Sequence, residues 1–425
     1  MIKDKLHYLF YAFCILWLFL LDYVLKGSGL PVLAVYFNYL LYVLLSARLL
    51  VVLTYQSKFF GTIGNQEIYV RISLCILSFV LYALLQTLIN PELSDFDYFR
   101  QNYSVVLPSF AIAILFGVYT LRYRRNVNLA FRFLFNVMLV VILWSEILSF
   151  RGSESDVGED LRNGGVFDQA NSYGYFLALF TLISAFDLIG YVKVNRFKYI
   201  SAIGLVGGLL LILRTGSYGA LLVSLGLICY LSLNYLKKFN ILRILGFLVL
   251  GTGMLVAFIY SSQSINSYRV NALRDLFSGK GNSGFIEQET FNLRYGVITK
   301  GVSDFFENPI VGKGLRGRNV NFEERESTVH NVIVVELLKG GILGLIFIVL
   351  IYYHIFKIVE RMSNPIWRRI GRSLFAYIFL IDNTLTYSSF LSMNAGVLAL
   401  ALIFTLVFTD DYLKNRADKQ LSSRV

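Results

Sequence analysis

The sequence predicts an all-α polytopic membrane protein with about twelve transmembrane helices and a large extracytoplasmic loop between the ninth and tenth. Three observations predict it. Of 425 residues, 56% are hydrophobic and only 16% charged, with a mean hydropathy of +0.62, whereas soluble globular chains carry about 25% charged residues. Apolar runs long enough to cross a hydrocarbon core of about 30 Å recur along the chain. Finally, the cations gather in alternate connections between those runs, as the positive-inside rule requires.

The runs fall at 8–25, 30–53, 68–89, 103–121, 128–150, 172–191, 198–213, 216–235, 241–261, 330–356, 370–389 and 392–412. Only Arg214, Thr215 and Gly216 separate the seventh from the eighth, and the last two are similarly close, so eleven or thirteen spans remain open. The first run is longer than a signal-peptide core and lacks a small-residue cleavage site, so it reads as a retained helix.

With a cytoplasmic N-terminus, the inner connections hold Lys58; Arg122, Arg124 and Arg125; Lys193, Arg196 and Lys198; Lys237, Lys238 and Arg243; and Arg361, Arg368, Arg369 and Arg372. The tail adds Lys414, Arg416, Lys419 and Arg424. Intervening connections are poor in cations or acidic, as at 91–97 and 154–160. Both termini are therefore expected in the cytoplasm. The net charge of +12 is dispersed through these short loops, which fits topology and anionic lipid and argues against a nucleic-acid partner.

This divides the chain into helices one to nine (1–261), an outer loop with short amphipathic helices (262–329), and helices ten to twelve with a basic tail (330–425). A loop of that length is a functional element or a small domain. Cys14, Cys75 and Cys229 lie within apolar runs and read as small buried hydrophobes, with no pairing or metal spacing. P-loop, dinucleotide, HExxH and GxSxG signatures are missing, so no nucleotide cofactor or metal is called for.

Four places combine polar groups with turn chemistry. The segment 162–171 (RNGGVFDQAN) carries Arg162 and two glycines, and ends at Asn171, which with Ser172 is a candidate helix cap. Arg214 stands at a membrane border between two closely spaced helices; ion pairing or snorkelling explains it, as does reception of an anionic group by its planar fork. Arg294 lies among apolar residues ahead of the glycine-rich ENPIVGKG (307–314), where Lys300 and Lys313 read as solvated charges. His330 and Asn331 open the tenth helix, followed by Glu336 and GGILG (340–344). In this topology His330 is the sole histidine on the outer side, and a histidine titrates where a general base must.

Taken in order, RNGGVFDQAN, RTGSYGA (214–220), NLR (292–294), ENPIVGKG, HN (330–331) and GGILG resemble the O-antigen ligase/polymerase superfamily of bacterial membrane enzymes. The resemblance covers about 160–345. It implies a glycosyltransferase-C type membrane fold and metal-independent transfer of a glycan from undecaprenyl diphosphate. Arg214 and Arg294 would bind the diphosphate, and His330 would deprotonate or orient the acceptor hydroxyl. Arg162, Asn171, Asn331 and Glu336 are further substrate-binding candidates. Such a protein would sit in the bacterial cytoplasmic membrane and work with a flippase and a chain-length regulator. The expected activity is polymerisation, in which a growing glycan passes to the non-reducing end of another lipid-linked repeat unit. The alternatives are a ligase that passes the glycan to a lipid A core or other terminal acceptor, and a flippase or secondary transporter. Asp382, within the eleventh run, is the residue that speaks for transport, although a helix–helix hydrogen bond also accounts for it.

Overall fold

The computed structural model describes residues 2–17, 31–54, 66–89, 96–124, 126–151, 170–215, 217–236, 284–315, 317, 319–322, 325–384 and 394–422. They are mostly helical. In chain order the elements are α1 (Ile2–Leu16), α2 (Pro31–Thr54), α3 (Gln66–Ile89), α4 (Phe96–Asn102), α5 (Val106–Arg124), α6 (Val127–Arg151), α7 (Ala170–Ile189), α8 (Lys198–Thr215), α9 (Tyr218–Leu236) and α10 (Gly284–Phe305). Strands β1 (Asn319–Phe322) and β2 (Arg325–Thr328) follow, then α11 (Val332–Glu360), α12 (Pro365–Thr384) and α13 (Asn394–Ser422). Seven helices among the described residues are long and apolar enough to cross a membrane, and α2 and α9 contain shorter apolar stretches. The chain is thus an all-α membrane protein in its main architecture. The expected ninth span (241–261) lies outside the described residues, as does 262–283 of the long loop.

Two compact units divide the chain: residues 1–137 with 296–425, and residues 138–295. In the first, α13 and α5 form the centre. Their apolar windows are 89% and 78% buried, as helices hydrophobic on all sides must be. Gly117 lets them approach, since a Cβ there would lie 3.0 Å from the Phe404 backbone. Leu40, Val43 and Leu44 of α2, Leu81, Leu85 and Leu88 of α3, and Ile346 and Val349 of α11 point outward. An outward apolar surface of this kind suits lipid and would be a liability in water.

The second unit centres on α7, with α8 and α9 packed on it. Gly204 and Gly208, a small-xxx-small pair on α8, sit against Phe180, Thr181 and Ser184 of α7. Such pairs let helix backbones approach in lipid, where helices lack a hydrophobic force between them. Buried Asp187 ties the α7–α8 turn. It accepts the N–H groups of Val194 (3.2 Å) and Asn195 (3.0 Å), the Ser201 hydroxyl (2.5 Å) and the Lys198 ammonium (3.0 Å).

Four expectations are corrected. The cations Arg368, Arg369 and Arg372 do not lie in a loop before the eleventh span but inside α12, which starts at Pro365. Asn364 caps it by accepting the Ile366 N–H at 2.9 Å, and proline suits the first helical turn because its missing N–H is unneeded there. The long loop is not purely helical: β1 and β2 pair antiparallel, Asn319 with Thr328 through Phe322 with Arg325. Asn171 lies inside the first turn of α7, which starts one residue earlier. Of the cysteines, only Cys14 is buried; Cys75 is intermediate and Cys229 exposed, because an apolar run facing lipid stays out of water without being covered by protein.

The feature that shapes the first unit is a break in α11. Gly341 adopts φ 60°, ψ −154° inside the helix, so the 29 residues form two segments. The second, 342–360, is by itself about 28 Å long. Carbonyls that an unbroken helix would bond internally find other donors. Leu338 O accepts the Lys313 N–H at 2.6 Å and Lys339 O the Gly314 N–H at 3.1 Å. Gly340 O accepts the Tyr82 hydroxyl at 2.7 Å. In return the Ile342 N–H donates to Pro309 O at 2.9 Å. The ENPIVGKG and GGILG segments are therefore two halves of one backbone joint. Gly312 and Gly341 are required there: each has positive φ, and a Cβ on Gly341 would lie 2.3 Å from Ile310 O.

Gly341→Ala is expected to destabilise the protein by about 2–4 kcal/mol, combining left-handed strain with a backbone clash. Gly226→Ala, at an α9 position with open space around it, should be close to neutral. Thermal unfolding of both variants in detergent checks this; equal transitions would show that the joint tolerates a side chain.

Candidate functional site

The start of α11 is built to hold His330 in place. On one side Val329 is fully buried in a core with Val297, Val320, Val334, Val335 and Leu338. On the other, Asn331 is the N-cap: its Oδ1 accepts the Val334 N–H at 3.0 Å, and its Nδ2 donates to Asn383 O at 3.0 Å. Asn331, a candidate substrate contact in the sequence, thus uses both ends of its amide to cap α11 and to tie it to the end of α12. His330, half-buried between these anchors, has its backbone held on both sides.

One turn further on, Glu336 and Lys339 are both buried, at 3% and 2% exposure. Buried charges in a membrane helix need partners, and aromatic groups supply part of them. The Tyr103 hydroxyl lies 3.5 Å from each Glu336 oxygen. The Lys339 ammonium sits 5.2 Å from the Tyr98 ring centroid and 5.6 Å from that of Tyr103. Tyr82 is steadied by Gln86, whose Nε2 donates to it and to Val311 O, both at 2.7 Å. Glu336 therefore belongs to an internal polar cluster beside the helix break.

The glycine-rich loop that fills the break has its own brace. Lys300 and Lys313 converge on Asp304, at 2.6 Å and 3.1 Å from its carboxylate, and Lys313 also lies 2.9 Å from Glu307. Lys300 and Lys313 are thus not simple solvated charges. Burial alone would raise the Asp304 carboxyl, but the hydrogen bonds from Lys300 and Lys313 outweigh it and hold it below its ordinary range. Burial likewise works against the Lys313 charge, yet Glu307 and Asp304 raise the ammonium above its ordinary range. The brace fixes the backbone that donates to Leu338 and Lys339.

In the second unit, Arg214 stands in the last turn of α8. Its Nη1 donates to Glu146 Oε2 on α6, and the Tyr173 hydroxyl of α7 donates to Glu146 Oε1 at 2.9 Å. The Arg214 side chain is 33% exposed and that of Glu146 17%. Ser217, three residues on, is buried and its Oγ has no hydrogen-bond partner among the described residues. It packs against Gly174, where a Cβ would lie 2.6 Å from its own Cβ. Guanidinium, carboxylate and phenol thus meet where the last turns of α6 and α8 come against the first turn of α7.

Arg294 lies on α10, with its side chain outside the described residues, and Arg162 lies outside them altogether. Asn171 is half-buried near the start of α7. Sequence reasoning missed Glu146, Tyr173, Asp304 and Lys339. An acid four residues from the end of the run 128–150 was a signal for Glu146, since such a charge needs a partner. Tyr173 and Lys339 find their partners on distant segments, whereas Asp304 pairs with Lys300 and Lys313 close by in the chain. Asp382 accepts the Tyr352 hydroxyl, a bond between α12 and α11. No protein-family model matches the chain, and no curated protein matches it in sequence.

Asp304→Asn should cost about 1–2 kcal/mol at neutral pH, discounted for the partly exposed lysines. Because the folded carboxyl titrates below its unfolded value, its contribution is complete above the ordinary carboxyl range and vanishes as pH falls through the folded value. The stability gap between wild type and variant should accordingly hold steady between about pH 6 and 8 and close below about pH 4. Thermal unfolding across that range checks it; a gap that persists at low pH would assign the effect to packing.

Proposed function

We propose that this protein is a polysaccharide polymerase of the bacterial cytoplasmic membrane. It transfers a growing glycan from undecaprenyl diphosphate to the non-reducing end of another lipid-linked repeat unit. In this reading about twelve spans place both termini in the cytoplasm, and the chemistry is extracytoplasmic. The observation that carries it is the anchored placement of His330, held between a buried core residue and a capping asparagine at the start of a broken membrane helix. Non-helical backbone within a membrane helix occurs where it is buried in protein or lines a cavity, and a catalytic base needs a fixed position.

The division of labour follows from the leaving group. Polyprenyl diphosphate departs readily when cations meet its charge, and guanidinium groups do this through bidentate hydrogen bonds. Arg214 and Arg294 are assigned to that task. His330 takes the proton from the acceptor hydroxyl as its oxygen attacks the anomeric carbon and the bond to the diphosphate oxygen breaks.

One observation favours a second reading. The interrupted α11 with its buried Glu336 and Lys339 is the kind of discontinuous, charged helix that transporters use, so a lipid-linked oligosaccharide flippase is the competing function.

In a polymerase-null strain of the native pathway, wild type should restore long chains. His330→Ala, Arg214→Ala and Arg294→Ala, at matched membrane levels, should reduce chain extension by about a hundredfold or more. Normal activity of all three variants would remove the site. With purified protein and lipid-linked repeats alone, chain growth supports polymerisation, strict need for another acceptor identifies a ligase, and movement across liposomes without new bonds identifies the flippase.

A further inference from the structure

We propose that Glu146 is a displaceable counter-ion for Arg214, occupying the guanidinium until a diphosphate takes its place. The inference rests on the reading of Arg214 as a diphosphate ligand. Its basis is the asymmetry of the pair. Glu146 has a separate donor on each oxygen, Arg214 on Oε2 and the Tyr173 hydroxyl on Oε1 at 2.9 Å. Tyr173 is itself fully buried, so the carboxylate keeps a fixed partner when the arginine turns away. Arg214 is the more exposed member, at about twice the exposure of Glu146, and it sits in the last turn of its helix, within reach of an incoming anion.

The chemistry favours exchange. A carboxylate offers one negative charge to a guanidinium, whereas a diphosphate offers more than one charge and several oxygens that match the planar fork. In an apolar chain an arginine left without an anion is costly, so the counter-ion keeps the site folded and charged while empty. The same pairing imposes a cost on every incoming anion. Abundant headgroups that bring a single phosphate with one charge, which gain least from the fork, are thereby kept off. Glu146 is thus a specificity-determining residue and does not touch the reacting atoms. Buried Ser217 Oγ, without a partner among the described residues, is a further polar group at this junction.

The test is calorimetric titration of inorganic pyrophosphate into the purified full chain in detergent, comparing wild type, Glu146→Gln, Glu146→Asp and Arg214→Ala. Removing the competing charge should tighten pyrophosphate binding about fivefold in Glu146→Gln. Glu146→Asp keeps the charge but draws it back by one methylene, and should tighten binding by a smaller factor, which provides the comparison if the glutamine variant folds poorly. Arg214→Ala should lose binding. Unchanged or weaker binding in both Glu146 variants, with binding lost in Arg214→Ala, would overturn the counter-ion role and leave the diphosphate reading standing. If Arg214→Ala binds like wild type, or wild type does not bind, the diphosphate reading fails and the counter-ion role falls with it.

Discussion

In lipid there is no water to take up a backbone N–H or C=O that loses its partner, and the joint between α11 and the loop after α10 is this constraint made visible. A positive-φ glycine interrupts a long apolar helix, and the Leu338, Lys339 and Gly340 carbonyls are each taken by a donor from elsewhere. Much of the first unit follows from that accounting. The loop must lie in the gap with two glycines at its closest approach. The Asp304 ion-pair cluster must hold the loop there, and Tyr82 and Gln86 of α3 must close the last carbonyl. The start of α11 is then shortened into a separate segment, which sets the position of His330.

The same scarcity of water governs the charged side chains. Asp187 gathers donors from a turn and a neighbouring helix. Asp410 accepts the Ser363 and Asn364 N–H groups ahead of α12, and Asp411 accepts the Tyr69 hydroxyl at 2.8 Å. Each of these acids ties elements together through hydrogen bonds that would contribute little if water competed for them. The Arg214–Glu146 pair differs in being partly exposed on both sides, the property on which the proposed exchange of carboxylate for diphosphate depends.

Legibility in the sequence tracked the range of the interaction. The apolar runs of α3, α5, α6, α7 and α8 read correctly because a span is a local property of about twenty consecutive residues. The cap and proline at Asn364–Pro365 were equally local, yet the run of arginines behind them outweighed the signal and placed the helix start five residues late. The β-hairpin within the loop carried no strong alternation and was not anticipated. Of the candidate site residues, His330, Asn331 and Glu336 were visible as types at a helix start, but their separate fates as half-buried neighbour of the cap, cap and buried cluster member were not.

By itself the sequence determined the membrane class, the position of most helices, the crowding of glycines near 312 and 341, and the set of polar residues able to do chemistry. Composition and local periodicity suffice for these, because lipid imposes its requirement on each helix separately. Tertiary structure alone decided that two glycine-rich segments form one joint, that Lys313 braces a loop, and that Glu146 and Tyr173 meet Arg214. Apart from the Lys313–Asp304 brace, those pairings join residues more than twenty positions apart. A buried charge or an orphaned carbonyl announces that it needs a partner, but only the packing of helices determines which one it finds.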